Sequence, residues 1–390
     1  MRFAVIWSAA ARREIIYMSY TNLRFAVLAI AIVISLSVIA NAQKQPAPTP
    51  PPDETERVET EEIKINVLAY DTARNIVNDV LLEDLVINEN NVLNQAVSLR
   101  RIPANVVIVM DTGGELRWAK TIGQTRKTAE AIIADLKPAD SVAIVEYSDS
   151  AKVVSNLTRN RADTAAAIAR TNVGVGSAFL DAIKLASGLL TRPGIENRHI
   201  VLVTDGTQDS LSGAALAKGF QQLLETDINV HVVSYTQLEM VAIDPRTKSV
   251  STKPKPITAD TTTIPREVAE QLPNGARDFN TGANVGPTIK IDRKQRSTWK
   301  RRKAALQTAE GQLISLTDST NGTILIPTTR EEMVEKSAGI ARIIDGSYVL
   351  TYVPKIPLRA KQGDRMITVT SKRAGLAVEA KRKLVVRNRS

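Results

Sequence analysis

The sequence predicts an α/β protein with a doubly wound, mostly parallel sheet and a small β-sandwich formed from both chain ends. After Pro103, apolar runs of strand length alternate with helical stretches. The segments before and after this region instead alternate apolar with polar residues along the chain. Continuous apolar strands joined by helices are typical of a parallel sheet covered on both faces, whereas alternation is typical of antiparallel sheets with one buried face.

The α/β domain is predicted over residues 103–236. Its parallel strands are the apolar runs 106–110, 142–145, 200–203 and 229–233, and a short antiparallel edge is expected near 153–157. The first helical stretch carries apolar residues at three- and four-residue steps, which place one helix face on the sheet. These residues are Ala119, Ile122, Ala129, Ile132, Ile133 and Leu136.

The β-sandwich is predicted from residues 58–102 and 347–390. In the first segment apolar residues alternate from Ile63 onwards, and Asn90-Asn91 is typical of a hairpin turn. The second segment contains the strand-like runs SYVLTYV, MITVTS and LAVEAKRKLVV. A sheet as short as either segment would form needs a partner to cover it, so we expect the two chain ends to make one sandwich with the α/β domain inserted between them.

An irregular basic insertion is predicted over residues 237–303, which are rich in Pro, Thr, Lys and Asn and end in DRKQRSTWKRRK. Residues 304–346 are then expected to complete the α/β domain. They contain a helical stretch near 304–317, the strand TILI and a helix from Thr328, whose spacing to Glu331 matches a capping box.

The start of the chain has the features of an export signal. Arg24 precedes an apolar run that ends in Ala40-Asn41-Ala42, an A-x-A cleavage pattern, so residues 1–42 are predicted to be a signal peptide. A leader that begins at Met18 fits this pattern as well, and an uncleaved membrane anchor is the alternative. Residues 43–57 form a Pro-rich linker. We therefore expect a protein of the periplasm or the extracellular space.

Composition excludes several kinds of site. The chain has no cysteine, which excludes disulfides, cysteine nucleophiles and a lipid-modified cysteine anchor. Its net charge of +10 favours contact with anionic surfaces, although the same charge also promotes solubility. In the basic run, Trp299 and Arg301 are expected to anchor an anionic envelope polymer or an acidic protein, and a solvated loop without a ligand is the alternative. Export argues against nucleic acid as the partner.

Polar residues follow the ends of the predicted parallel strands. Asp111 ends the first strand, Ser177 lies in the loop NVGVGSAF before a helix, and Asp205 ends the run VLVTDG. The carboxyl ends of parallel strands open into one crevice, so these side chains are expected to meet there. Two carboxylates and a hydroxyl are the oxygen ligands that Mg²⁺ or Mn²⁺ prefers.

Residues 106–236 resemble a von Willebrand factor type A domain. That family builds a metal-ion-dependent adhesion site from D-x-S-x-S, a Thr in a second loop and an Asp after the fourth strand. Asp111 and Asp205 match the two aspartates and Ser177 is similar to the Thr, but Gly113 and Glu115 stand where the family has serines. The resemblance implies a metal site of Asp111, Glu115, Ser177 and Asp205. The alternative is that the two aspartates only cap helices and bind loop amides.

The order of segments over most of the mature chain is also similar to exported proteins related to this family, notably those of Acidobacteria. That resemblance implies a binding, adhesion or scaffold role with a protein partner, with or without Mg²⁺ or Mn²⁺. A second hypothesis is a structural envelope protein whose crevice is vestigial and which contacts anionic partners through its basic insertion.

An enzyme is the least favoured hypothesis. The run GVGSAF lacks the third glycine of a dinucleotide fingerprint, and VLVTDGTQDS contains no G-x-S-x-G elbow. His199 and His231 lie beside or within apolar strands, where a core position is more usual than the role of a catalytic base. The sequence therefore predicts a protein without catalytic activity.

Overall fold

The computed structural model describes residues 61–113, 121–208, 213–248, 250–251, 288–289 and 293–387. The predicted signal peptide, the Pro-rich linker and Glu115 lie outside these residues. Within the described part of the chain, no helix is both long and apolar enough to span a membrane.

The predicted α/β fold is confirmed. The central sheet of the described residues has the strand order β12-β9-β8-β5-β6-β7, with parallel pairing everywhere except between β6 and β7. The antiparallel edge near 153–157 was therefore predicted correctly. The strands are β5 (Asn105–Asp111), β6 (Ser141–Tyr147), β7 (Ala151–Thr158), β8 (Arg198–Thr204), β9 (Asn229–Ser234) and β12 (Ile324–Leu325).

Helices cover both faces of this sheet, and each face has its own apolar cluster. The alternating faces of β5 explain the division, because Val106, Ile108 and Met110 pack on one side while Val107 and Val109 pack on the other. The helices are α1 (Ile122–Asp135), α2 (Arg161–Ala169), α3 (Phe179–Leu190), α4 (Gly213–Leu224), α5 (Thr236–Thr247), α6 (Arg293–Thr320) and α7 (Arg330–Gly346).

Two antiparallel four-stranded sheets from both ends of the described chain enclose a third apolar cluster. Their strand orders are β15-β1-β13-β4 and β16-β14-β2-β3. Asn90 and Asn91 join β2 to β3 with φ values of 49° and 67°, the left-handed conformation that a two-residue hairpin turn requires. The strands are β1 (Ile63–Tyr70), β2 (Leu85–Glu89), β3 (Val92–Asn94), β4 (Ala96–Arg100), β13 (Tyr348–Tyr352), β14 (Gly363–Ser371), β15 (Ala377–Glu379) and β16 (Lys381–Val386).

The sandwich and the α/β domain belong to one compact unit over residues 60–390. A fully buried arginine of β16, Arg382, joins them by donating hydrogen bonds to the carbonyl oxygens of Thr226, Ile228 and Thr320. Its guanidinium thus satisfies backbone acceptors at the edge of the α/β domain, so the sandwich is not a loosely tethered module.

The region predicted as an irregular insertion is helical at both described ends. Helix α5 lies over Thr236–Thr247, and α6 begins at Arg293 rather than near residue 304. Between them, a short antiparallel pair joins β10 (Val250–Ser251) to β11 (Thr288–Ile289). Arg, Lys and Gln favour helices, so the basic run that suggested a solvated loop is compatible with a helix.

The last helix also begins later than predicted. Helix α7 starts at Arg330, and Thr329 caps it by accepting a hydrogen bond from the backbone N–H of Glu332 at 3.1 Å. The carboxylate of Glu332 accepts from Thr328 Oγ1 at 2.9 Å. The cap therefore uses Thr329 and Glu332, one residue beyond the predicted Thr328 and Glu331.

The two histidines of the chain lie buried side by side at the amino-terminal ends of β8 and β9, as core residues. His199 Nε2 lies 2.8 Å from Asn197 Oδ1, an acceptor, and 3.2 Å from Asn66 Nδ2, a donor, and the shorter contact assigns the proton to this nitrogen. His199 Nδ1 therefore accepts from His231 Nε2 at 3.1 Å. Burial lowers the pKa of His231 to about 4. Burial, then His231 and Arg382, lowers the pKa of His199 well below its usual value.

These histidines should make the protein acid-sensitive. Unfolding returns each pKa to about 6.5. Below this pH the unfolded chain binds more protons than the folded protein, so the free energy of unfolding decreases as the pH is lowered. Above about pH 6.5 the two states bind equally few protons and this effect is absent. From His231 alone, we expect a loss of about 2 kcal/mol between pH 7 and pH 5.

Urea unfolding of the wild-type protein and of His231→Gln at pH 7, 6 and 5 measures this effect. The variant should show the flatter dependence of stability on pH, whatever its stability at pH 7. If the free energy of unfolding changed equally with pH in the two proteins, the acid sensitivity could not be assigned to His231.

Candidate functional site

Three neighbouring strands of the central sheet end at the predicted crevice. Asp111 is the last residue of β5, Asp205 follows β8, and Tyr235 follows β9. The strands are parallel, so these residues emerge at the same edge of the sheet. Asp111 and Asp205 are both buried. The structure thus brings the two predicted aspartates together at the strand ends.

Asp111 is held by hydrogen bonds from its own turn and from β9. Its Oδ1 accepts from the backbone N–H of Gly113 at 2.9 Å, and its Oδ2 accepts from the hydroxyl of Tyr235. Burial, followed by the charges of Asp111 and Asp205, raises the pKa of Tyr235 well above its usual value. The phenol therefore stays protonated and remains a donor to the carboxylate.

Asp205 uses both carboxylate oxygens. Its Oδ1 accepts from the backbone N–H and from the hydroxyl of Thr207, each at 2.7 Å. Its Oδ2 accepts from Nη2 of Arg302 at 2.6 Å, and this arginine comes from α6. Asp205 therefore lies in a buried ion pair with a residue 97 positions later in the chain.

Arg302 bridges Asp205 and a second carboxylate. Its Nη2 donates to Glu239 Oε2 at 2.7 Å, its Nε donates to the same oxygen at 3.2 Å, and its Nη1 donates to Thr207 Oγ1 at 2.9 Å. Glu239 is buried in the first turn of α5. Burial lowers the pKa of Arg302, but the charges of Asp205 and Glu239 outweigh this effect and raise it above its usual value.

The loop of residues 172–177 forms the other wall of the crevice. Asp149 anchors it by accepting from the backbone N–H groups of Gly176 at 2.7 Å and of Val175 at 3.3 Å. Ser177 Oγ donates to the carbonyl oxygen of Thr207 at 2.7 Å. The predicted hydroxyl is thus near the Asp205 turn, where it bonds to the backbone.

Gly113 is required by a close approach between two loops. A Cβ at this position would lie 1.9 Å from the carbonyl oxygen of Gly176. The space that a serine side chain would occupy at position 113 is therefore filled by the opposite loop. A serine at position 113, as in the family's motif, would overlap this carbonyl oxygen unless the two loops moved apart.

The described residues do not fit a divalent cation. Both oxygens of Asp111 and both oxygens of Asp205 already accept hydrogen bonds, and a guanidinium lies between Asp205 and Glu239. Among the residues with described positions, no three His, Cys, Asp or Glu side chains form a metal-binding group. The other predicted ligand, Glu115, lies outside the described residues.

The predicted anchors of the basic run have different environments. Trp299 is buried against Met240, Ile243 and Leu306, so its ring is a core contact and not the exposed anchor that the sequence suggested. The guanidinium of Arg246 lies 5.4 Å from its ring centroid. Arg301 is exposed, as expected. Helix formation explains the difference, because residues two apart point in different directions on a helix.

Sequence reasoning missed Arg302 and Glu239. The helical spacing of Trp299, Leu306 and Leu313 was the available signal, since it places one apolar face along the basic run. Arg302 lies eleven residues before Leu313, which is three helical turns, so both belong to that face. Nothing in the local sequence links this arginine to Asp205.

Residues 106–208 match the family model of the von Willebrand factor type A domain. The chain is also similar to a solved structure described as von Willebrand factor type A from Catenulispora acidiphila, with 12% identity, a TM-score of 0.41, and coverage of 83% of this chain and 73% of that one. No curated protein matches the chain significantly.

Two further structures come from Bacteroides. An aerotolerance-related membrane protein of Bacteroides fragilis has 15% identity and a TM-score of 0.36, with coverage of 62% of this chain and 98% of that one. The conserved hypothetical protein BatB of Bacteroides thetaiotaomicron has 14% identity and a TM-score of 0.34, with coverage of 61% and 99%.

The close approach at Gly113 gives a direct test of the site. Gly113→Ser should lower the free energy of unfolding by about 1–3 kcal/mol, because the new side chain overlaps the Gly176 carbonyl and the loops must separate. Gly188→Ser is the matched control, since a Cβ at Gly188 meets nothing within 4 Å. Urea unfolding of both variants measures the difference. Equal stabilities would contradict the packing of the two loops.

Proposed function

We propose that the von Willebrand factor type A domain of this chain is an exported, non-enzymatic binding module whose strand-end face contacts a protein partner without a divalent cation. Domains of this family commonly serve in adhesion and protein interaction. The family match therefore supports the class of function, and the residues around the crevice support the location of the contact.

The observation that carries the proposal is a pair of exposed apolar side chains beside the crevice. Val173 and Val175 are 44% and 57% exposed on the loop of residues 172–177. Hydrogen bonds fix the backbone of this loop. Asp149 accepts from the N–H groups of Val175 and Gly176, and Glu146 accepts from that of Asn172. A fixed loop that presents apolar side chains to solvent suits a protein contact.

The chemistry of the crevice supports binding over catalysis. Among the described residues, the buried carboxylates of Asp205 and Glu239 share the Arg302 guanidinium, so neither is placed as a free acid or base. The two histidines lie at the other end of the strands. His199 and Asp205 are six residues apart, about 20 Å along an extended chain. No histidine therefore reaches the crevice.

The sequence of residues 1–42, which has the pattern of a signal peptide, supports the proposal of export to the periplasm or the extracellular space. Contact with the membrane itself would come only from an uncleaved leader.

A second candidate function is contact with an anionic envelope polymer through the start of α6. Four basic side chains are exposed there while Trp299 and Arg302 of the same helix face inward. They are Arg293, Lys294, Lys300 and Arg301. This arrangement favours a charged surface on the outer side of the helix, and it uses Arg301 without requiring Trp299 to leave the core.

Capture from envelope extracts tests the leading proposal. The wild-type protein should retain a protein that Val173→Asp/Val175→Asp does not retain, because the charges replace the apolar contacts of the loop. The matched control is Leu93→Asp/Val97→Asp on the sandwich, where the side chains are 58% and 56% exposed. The control variant should capture the same protein, and a chelator should leave capture unchanged.

Two results would contradict this proposal. Equal capture by the loop variant and the wild type would show that the strand-end face is not the contact. Loss of capture in the presence of a chelator would show that binding requires a metal ion. Lys300→Glu/Arg301→Glu tests the second candidate. This variant should elute earlier than the wild type from a heparin column if the polymer contact is correct.

A further inference from the structure

We propose that the guanidinium of Arg302 is a built-in cation that takes the place of a divalent metal at the strand ends. Its removal should expose a cation site formed by Asp205, Glu239 and Thr207. The inference does not depend on the nature of the partner, since it concerns only the charges inside the crevice.

The arrangement around one nitrogen carries this inference. Nη2 of Arg302 lies 2.6 Å from Asp205 Oδ2 and 2.7 Å from Glu239 Oε2. The two carboxylates come from different elements, the turn after β8 and the helix α5, yet they converge on one positive group. Thr207 Oγ1 contacts the other terminal nitrogen of the same guanidinium, 2.9 Å from Nη1, and so borders this point without contacting Nη2. Oxygen atoms that converge on a cation from separate elements form the inner part of a metal site.

The distances around Nη2 are closer to those of a calcium site than to those of a magnesium site. Calcium binds oxygen ligands at about 2.3–2.6 Å with flexible geometry, whereas magnesium requires about 2.0–2.1 Å and near-octahedral geometry. A calcium ion at the position of Nη2 would therefore need only small movements of the two carboxylates. The larger movements that magnesium needs are opposed by Thr207, which holds the other oxygen of Asp205 at 2.7 Å.

The placement of Arg302 is fixed by the rest of α6. Leu313, three turns later on the same helix face, packs on the turn that follows Asp205. There, Gly206 has a φ of +70°, and a Cβ on it would lie 2.8 Å from Leu313 Cδ1. Trp299, one turn before Arg302, is buried against α5. Packing at Trp299 and at Leu313, on either side of Arg302 along the helix, thus fixes the position of the guanidinium.

A neighbouring basic side chain does not share this role. Lys303 pairs with Asp244 at 2.6 Å, on the outer side of α5. Arg302 is 22% exposed, while the Asp205 and Glu239 side chains that it contacts are 4% and 6% exposed. Two carboxylates this well buried need a cation, and Arg302 supplies one.

Calorimetric titration of Ca²⁺ into the wild-type protein and Arg302→Met tests the inference. Methionine keeps much of the side-chain volume and removes the charge. The wild-type protein should not bind Ca²⁺ at the strand ends. The variant should bind it more tightly than Mg²⁺, because the oxygen spacing is closer to that of a calcium site. Its melting temperature should rise by roughly 5 °C when Ca²⁺ is well above its dissociation constant.

A second variant removes the carboxylates together with the arginine. Arg302→Met/Asp205→Asn/Glu239→Gln should lose both Ca²⁺ binding and the thermal shift, which ties the ion to these residues. Wild-type binding of Ca²⁺ that the substitutions Asp205→Asn and Glu239→Gln abolish would overturn the inference. So would an Arg302→Met protein that folds but gains no Ca²⁺ affinity.

If Arg302→Met does not fold, Arg302→Lys keeps a positive charge but loses the fork of donors that spans the two carboxylates. Ca²⁺ should then compete with the lysine ammonium for the two carboxylates and raise the melting temperature of the lysine variant. The melting temperature of the wild-type protein should stay unchanged. Equal responses of these two proteins would overturn the inference. None of these readouts involves the protein partner, so they remain separate from the capture experiment.

Discussion

The ion pair between Arg302 and the carboxylates of Asp205 and Glu239 is the interaction on which the strand-end region depends. Two buried carboxylates without a cation would be strongly unfavourable, and removal of one partner from a buried ion pair costs about 3–5 kcal/mol. The pair also links elements that are distant in sequence. It connects the turn after β8, the first turn of α5 and the middle of α6, so the crevice and the helices around it form one structure.

Loop packing and internal hydrogen bonds, together with this ion pair, explain why the crevice differs from an open metal site. The loop of residues 172–177 approaches Gly113 so closely that no side chain fits there. Asp111 receives the Tyr235 hydroxyl, and Asp205 receives the guanidinium. The described side chains that would contribute to an ion, Asp111, Asp205 and Ser177, are thus bonded within the chain. Among the described residues beside the crevice, Val173 and Val175 are exposed, and they suit an apolar contact.

Local patterns were sufficient to predict the fold but not the site. Runs such as 106–110 and the alternation from Ile63 onwards specify strands because their periodicity reflects burial on two faces or one. The prediction that the basic run 293–303 is irregular was wrong, because it relied on charge and did not use the helical spacing of Trp299, Leu306 and Leu313. Asp111 and Asp205 could be placed together because the carboxyl ends of parallel strands meet at one edge of the sheet. The partnership of Asp205 with Arg302 could not, because it depends on how α6 packs over the sheet.

A crystal structure grown with Mn²⁺, with anomalous scattering recorded at the strand ends, would show whether Arg302 or a metal ion lies between the carboxylates. We predict guanidinium density between Asp205 and Glu239 and no anomalous peak within bonding distance of either carboxylate. A manganese peak at that position, with Arg302 turned away from Asp205, would contradict it.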